Sequence, residues 1–203
     1  MDEIILIGTG GHARSCIDVL ELEGKFELAG LVEKEQTDKF DNHRNPIIGN
    51  DGDLKVLRDK YSNALIAVGQ IKSPKIRIRL YELLKQMNYN LPVIISPNAY
   101  VSKNARISEG TIIMHGAIVN SNARIGKNCI INNSALIEHD VIIGNHCHIA
   151  TGAIINGEVS VGDETFIGSG VVTKQCISIG SNCVFGAGAV VKRNIASNQI
   201  INN

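Results

Sequence analysis

Residues 123–149 read ARIGKN CIINNS ALIEHD VIIGNH CHI, a string that falls into sixes with an aliphatic residue third in each. Counted outward from this stretch, hexads run without insertion or deletion from the one opening at Ala99 to the one opening at Ala189, 16 in all. Fourteen of the third places are Ile or Val; the exceptions are Thr173 and Phe185. First places are small or β-branched, and Cys129, Cys147 and Cys183 fall there, so these thiols read as small core fillers and not as ligands or nucleophiles. A longer interval is superimposed: Gly126, Gly144, Gly162 and Gly180 each follow Ile or Val at spacings of 18, and Gly168 and Gly186 repeat it. Three hexads therefore close one coil, with short strands on three faces and Gly or Asn at corners where a left-handed backbone is cheapest. The expectation is a triangular parallel β-helix whose core is its stacked Ile/Val columns. The hexads leave its hand open, and general crossover statistics favour a right-handed one.

This reading absorbs the odd composition. The chain has 203 residues with 31 Ile, 20 Gly, 20 Asn and no Trp, and only 4% aromatic residues. Twenty basic residues balance twenty acidic ones, so net charge gives no hint of nucleic acid or an anionic membrane, and neither is expected as partner. Five cysteines without a CxxC, and an acidic start (MDEIILIG) too short for a signal peptide or a span, lead to the expectation of a soluble protein in a reducing cytoplasm.

Residues 1–95 have a different period. Glu3–Ile7 reads as a strand, then comes the turn Gly8-Thr9-Gly10-Gly11, and a helix from about His12 to Leu22 turns Ile17, Val19 and Leu20 inward. Leu28–Val32 and Ala64–Val68 read as a second and a third strand. Ile76, Leu80, Leu83, Leu84 and Met87 recur at helical spacing, and Leu91–Ile95 reads as a last strand. That alternation predicts a small Rossmann-like parallel α/β sheet over 1–95, followed by the β-helix over 96–203. Gly8-Thr9-Gly10-Gly11-His12-Ala13 meets the GxGxxG/A pattern between strand and helix, with Glu33 closing the second strand. Bare glycine amides at a helix N-terminus bind phosphate whatever the nucleotide.

Among the hexads, His139 occupies a corner between Glu138 and Asp140, and Gly157 lies 18 residues on, at the same corner about 5 Å along the stack. A histidine there is a candidate base whose imidazolium Asp140 would stabilise, and a glycine would let a substrate approach a backbone N–H able to meet an oxyanion. A solvated corner histidine is the plainer alternative. His115 and His146 read as surface residues and His43 as part of a loop.

The hexads, with ILIGTGGHAR and INNSALIEHDVIIGNHCHIATGAIINGEVSVG, resemble the hexapeptide-repeat acyltransferases. Within them they are similar to the subfamily of sialic acid O-acetyltransferases and nucleotide-amino-sugar N-acetyltransferases of the bacillosamine and perosamine type. The resemblance covers nearly the whole chain. It implies a left-handed β-helix, a bacterial homotrimer with active sites between subunits, acetyl-CoA as co-substrate and no metal. The reaction implied is N-acetylation of a nucleotide-linked 4-amino-4,6-dideoxy sugar, UDP being the expected nucleotide, for surface glycan biosynthesis. O-acetylation of sialic acid or a related nonulosonic acid is the alternative.

Residue by residue, the resemblance makes His139 the base, Asp140 its partner, Asn132 a neighbour of the base, and Gly157 the donor to the thioester oxygen. His148 would lie near donor and amine, while Gly168, Ser169, Gly186 and Ala187, one and two coils past the base, would contact coenzyme A. The loop Gly8, Gly10, Gly11 and His12 would hold the sugar nucleotide's diphosphate, and Glu33, Gly69 and Gln70 its base or ribose. Glu33-Lys34 stands where the family carries an acidic pair, and the family's closing Gly-x-Pro-Ala segment is not matched by Ile200-Ile201-Asn202-Asn203. An NAD-dependent oxidoreductase built on the glycine turn and a non-catalytic scaffold are the readings from other classes. The first lacks a second catalytic half, and the register of His139, Asp140 and Gly157 speaks against the second.

Overall fold

Strand β1 (Asp2–Ile7) buries its last four residues and is followed by α1 (Gly11–Glu23), β2 (Phe26–Glu33) and β3 (Ile47–Asn50). Then come α2 (Leu54–Lys60), β4 (Asn63–Ile66) and α3 (Lys75–Gln86). These belong to a computed structural model that describes residues 1–34 and 45–202, so His43 lies outside the described residues. The sheet is wholly parallel in the order β3-β2-β1-β4. β3 and α2 are additions to the sequence reading, too short and too polar to stand out by period, and the strand expected third is fourth in the chain. The switch in strand order lies between β1 and β4, so the loops at the carboxyl ends of these two strands open a crevice, the usual ligand position in such sheets.

The face that α3 buries differs from expectation. Ile76 is 58% exposed, whereas Arg77, one position on, is 1% exposed. Helical spacing fitted the apolar residues, but the inward face comprises Arg77, Leu80, Tyr81 and Leu84.

A second correction concerns Ile94–Ile95, here β5. It adds nothing to the α/β sheet and pairs in parallel with Ile112–Ile113, forming the first rung of the β-helix. From there the chain winds through three faces. The first runs from β5 to Ile200–Ile201 in seven strands, the second from Tyr100–Val101 to Val190–Val191 in six, and the third from Arg106–Ile107 to Ser178–Ile179 in five. Partners are 18 residues apart up to the last coil, where Val184 pairs with Ile200 and Ile179 bridges Ile195, an interval of 16. The coil is left-handed. The crossover preference rests on a helix folding back over its sheet, and these corners contain none.

The third-place column forms the interior with the first-place residues, Cys129, Cys147 and Cys183 among them. The corner chemistry is more specific than sequence suggested. Positive φ falls on the sixth place of the hexad, at Asn128, Asp140 and Glu158 for instance, and not on Gly126, Gly144 or Gly162. Those fourth-place glycines are small for another reason: a Cβ on Gly126 would sit 2.5 Å from the Gly144 carbonyl oxygen of the next coil.

The α/β domain docks on the first face. Ile94, Ile112, Met114 and Ile130 share one core with Ile4, Leu6, Cys16, Ile17 and Leu20. His115 clasps this joint, its Nδ1 2.7 Å from Ser96 Oγ and its Nε2 2.8 Å from Asp18 Oδ2, so it is a bracket and not a surface residue.

Candidate active site

His139 and Asp140 follow the strand Leu136–Ile137 on the corner between the second and third faces. Asp140 adopts φ +60°, a backbone that Asp tolerates better than most residues, and its carboxylate turns back on the preceding side chain. His139 Nδ1–H donates to Asp140 Oδ2 at 2.9 Å, while Asn122 Nδ2 donates to Oδ1 at 3.2 Å. The hydrogen bond to Asp140, with the charges of Asp140, Glu138 and Glu158, raises the His139 pKa above 6.5. The reciprocal bond, helped by Asn122, lowers that of Asp140.

With Nδ1 engaged, Nε2 is the free nitrogen, and it lies against Gly157: a Cβ there would be 2.7 Å from both Nε2 and Cε1. The Gly157 N–H has no acceptor among the described residues. Glu138, His139, Asn156, Gly157, Glu158, Gln175 and Cys176 line an open cleft here. A base and an unengaged amide thus face one space, which is what acyl transfer needs.

Asn132 lies elsewhere. It follows Ile130–Ile131 on the corner between the first and second faces, and its Nδ2 donates to Nε2 of His148 at 3.1 Å. His148 Nδ1–H donates to the backbone carbonyl of Gln70. With both ring nitrogens satisfied and the residue buried, desolvation, reinforced by the charge of Arg77, lowers its pKa to about 4. Gly168 and Gly186, with Ser169 and Ala187, stand above Asn132 at spacings of 36 and 54 and not above His139, whose column continues through Gly157 to Gln175. Within one chain, then, the expected cofactor positions and the expected base occupy different corners. Gly168 has a structural duty besides, since its Cβ would lie 2.4 Å from the Phe185 carbonyl oxygen.

One wall of the crevice of the α/β sheet is the turn that joins β1 to α1. Gly8 has φ +116°, and a Cβ on it would meet Val68 Cγ2 at 2.9 Å, so only glycine fits between the two loops. Gly10 caps α1 without any side-chain bond, leaving the first amides of the helix bare. Gly69 faces His12, whose pKa burial, with the charge of Arg77 next, lowers to about 3. Glu33 is turned onto its own chain, accepting from the Lys34 N–H at 3.1 Å. Gln70 is 2% exposed, and its Nε2 donates to the His146 carbonyl at 3.0 Å, so His146 too is a bracket between the domains.

Three contributors escaped the sequence reading. Arg77 donates to the carbonyls of Ile66 and Val68 at 2.8 and 2.7 Å and to Asn128 Oδ1 at 2.7 Å, tying the loop after β4 to the β-helix. Asn156 and Thr173 hold the turn that carries Gly157. Thr173 did carry a signal, as one of two breaks in the aliphatic column.

Two family models match the chain: the PglD N-terminal domain over residues 3–84, and the bacterial transferase hexapeptide (six repeats) over 104–139, 122–157 and 158–193. Among solved structures, it is similar to PerB from Caulobacter crescentus in complex with CoA and GDP-perosamine, at 30% identity and TM-score 0.91, over 100% of this chain and 95% of that one. A mutant of perosamine N-acetyltransferase from the same organism, with the same two ligands, is 29% identical with TM-score 0.90 over 100% and 94%. The acetyltransferase domain of PglB from Neisseria gonorrhoeae FA1090 in complex with acetyl coenzyme A is 27% identical with TM-score 0.90 over 99% and 96%. No curated protein matches by sequence.

Proposed function

This chain belongs to the hexapeptide-repeat sugar acyltransferases, in the subfamily of nucleotide-amino-sugar N-acetyltransferases, and we propose that it moves the acetyl group of acetyl-CoA to the 4-amino group of a nucleotide-linked 4-amino-4,6-dideoxy sugar with His139 as base. The single observation carrying this reading is the pairing of His139 Nε2, free and raised in basicity by Asp140, with the unengaged N–H of Gly157.

The amine nitrogen attacks the thioester carbonyl carbon as Nε2 takes its proton, and the carbonyl oxygen gains charge beside the Gly157 N–H. The C–S bond then breaks, and the coenzyme A sulfur leaves with the proton returned by the imidazolium. Asp140 keeps Nδ1 protonated and steadies the imidazolium in between. No covalent enzyme intermediate is needed.

The diphosphate of the acceptor belongs in this reading on the Gly8–His12 turn, with Glu33 and Gly69 toward the nucleoside, while the Gln70 side chain is buried against the β-helix. Coenzyme A runs past Gly168, Ser169, Gly186 and Ala187, with Asn132 and His148 beneath them. Since those positions and His139 lie on different corners, the complete site is formed between subunits of a homotrimer. Tyr100, Ile118 and Val190, stacked on the second face and 59%, 40% and 62% exposed, support its being covered by a second copy. The product enters surface glycan biosynthesis. Among the described residues no helix is long and apolar enough to cross a membrane.

A thiol-release assay with acetyl-CoA against UDP-, GDP- and dTDP-linked amino sugars, with free and CMP-linked sialic acid, tests the reading. UDP is the nucleotide the family resemblance implies, GDP the one held by the relative from Caulobacter, and the panel separates them. Turnover on a sialic acid hydroxyl with none on any amine would overturn it.

A further inference from the structure

On the second face, one ladder bond recurs where the chain leaves each strand. The fourth-place N–H donates to the third-place carbonyl one coil on: Ser102 to Val119, Asn120 to Ile137, Glu138 to Ile155 and Lys174 to Val191. Asn156 alone departs. Its N–H donates to the Thr173 hydroxyl at 3.0 Å, and its side-chain Nδ2 takes the Thr173 carbonyl at 2.6 Å. Strand pairing registers the same break, matching Ile154 with Val172 and no further, where neighbouring rungs pair twice.

Both residues are anomalous on physical grounds. Thr173 places a hydroxyl in a column otherwise filled by aliphatic side chains, at 1% exposure, which carries a cost unless the hydroxyl is bonded. Val or Ile there would allow the regular ladder bond. The departure occurs at one rung only, and the next residue is Gly157, whose N–H has no acceptor among the described residues and whose α-carbon lies against the imidazole of His139. Local ladder breaks beside reacting groups are a known way to re-aim a backbone or side chain.

We propose that Thr173 and Asn156 are positioning residues: together they replace one ladder bond by a side-chain pair and thereby set the Gly157 peptide against the reacting carbonyl. Thr173, at 1% exposure, reaches the site only through Asn156, which lines the cleft beside Gly157. The inference rests on the His139–Gly157 reading above and specifies what holds its oxyanion donor in place.

The test uses Thr173→Val, Thr173→Ser, Asn156→Ala and His139→Ala in the full chain, with kcat, both KM values and Tm measured for each. Thr173→Ser retains the hydroxyl and should stay within about twofold of wild type. Thr173→Val restores the column and should melt no lower than wild type, yet lose about tenfold in kcat with both KM values little changed. Asn156→Ala should lower kcat likewise. A wild-type kcat in Thr173→Val overturns the inference, as does a loss in Thr173→Ser equal to that in Thr173→Val. So does a fall in kcat that simply follows a falling Tm in both Thr173→Val and Asn156→Ala. If His139→Ala turns over like wild type, the reading beneath fails and takes the inference with it; an inactive His139→Ala beside a fully active Thr173→Val fails the inference alone.

Discussion

The imidazole of His139 lies across Gly157 of the next coil so closely that one added carbon on the glycine would come 2.7 Å from Nε2. The obstruction is the end of an exposed side chain and not backbone, so Gly157→Ala should leave Tm nearly unchanged while pushing the ring off its position. Since a displacement of about 1 Å can cost on the order of a hundredfold in rate, kcat should fall by roughly that factor. An unchanged kcat in steady-state assays would show that the approach to Gly157 plays no part in turnover.

The Asp140 bond fixes the sign of a pH effect. A base works unprotonated, so kcat/KM is present above the His139 pKa and lost as pH falls through it; because that pKa is raised, the acid limb lies above 6.5. Asp140→Asn removes the carboxylate, so the limb should move down toward 6.5, with a plateau lower by about tenfold or more. His139→Ala should lose about 10²- to 10⁴-fold. A pH profile from 5 to 9 on wild type and Asp140→Asn reads both effects.

His148 behaves in the opposite way. Its pKa drops to about 4 on folding, so the native state binds fewer protons than the unfolded chain. The resulting stability is complete above 6.5 and is lost as pH falls through about 4, a contribution on the order of 3 kcal/mol. His12, lowered to about 3, adds a loss of the same sign over a similar window. Melting curves between pH 7 and 4 should show Tm falling throughout, and His148→Gln, which keeps a donor for the Gln70 carbonyl and an acceptor for Asn132, should flatten the fall.

Two glycines expected to serve the cofactor separate cleanly. A Cβ on Gly168 would lie 2.4 Å from the Phe185 carbonyl oxygen, whereas one on Gly186 meets nothing nearer than 3.5 Å. Gly168→Ala should therefore cost on the order of 2 kcal/mol or more by overpacking against backbone. Gly186→Ala should fold as wild type, so a raised KM for acetyl-CoA in that variant alone reports cofactor contact.

The legible parts of this molecule are those governed by one short period. An interval of 18 sufficed to put Gly157 over His139, because stacking in a solenoid depends only on neighbouring coils. The same arithmetic sets Ser169 apart from the base: 30 residues past His139 is five hexads, which leads to the corner between the first and second faces, while 36 leads to Gln175. Contacts between the two periods were illegible. His148 meets Gln70 across 78 residues of sequence, and only the docking of α1 on the first face brings them together. Thr173 was visible as a break in the column, but the partner that explains it, Asn156, looked like any corner asparagine.

Arg77 is the sharpest case of a role hidden by residue type. Fully buried and paired with no carboxylate among the described residues, it has a pKa lowered by burial to about 10 and remains a cation at neutral pH. Its positive end is spread over the carbonyls of Ile66 and Val68 and both oxygens of Asn128, which in turn donates from Nδ2 to the Arg77 carbonyl at 3.2 Å. Methionine would fill much of the volume and relieve the desolvation of the charge, but would leave those acceptors buried and unbonded, at about 1–3 kcal/mol each. Lysine keeps the charge yet cannot fork across two elements. Both Arg77→Met and Arg77→Lys should thus unfold at lower denaturant, by several kcal/mol for Met and less for Lys. In whatever folded enzyme remains, the KM for the nucleotide sugar should rise more than that for acetyl-CoA, because Arg77 holds the loop after β4 and touches nothing on the Gly168–Gly186 corner. Equal rises in the two KM values would show that the clamp stabilises the whole chain without favouring the crevice.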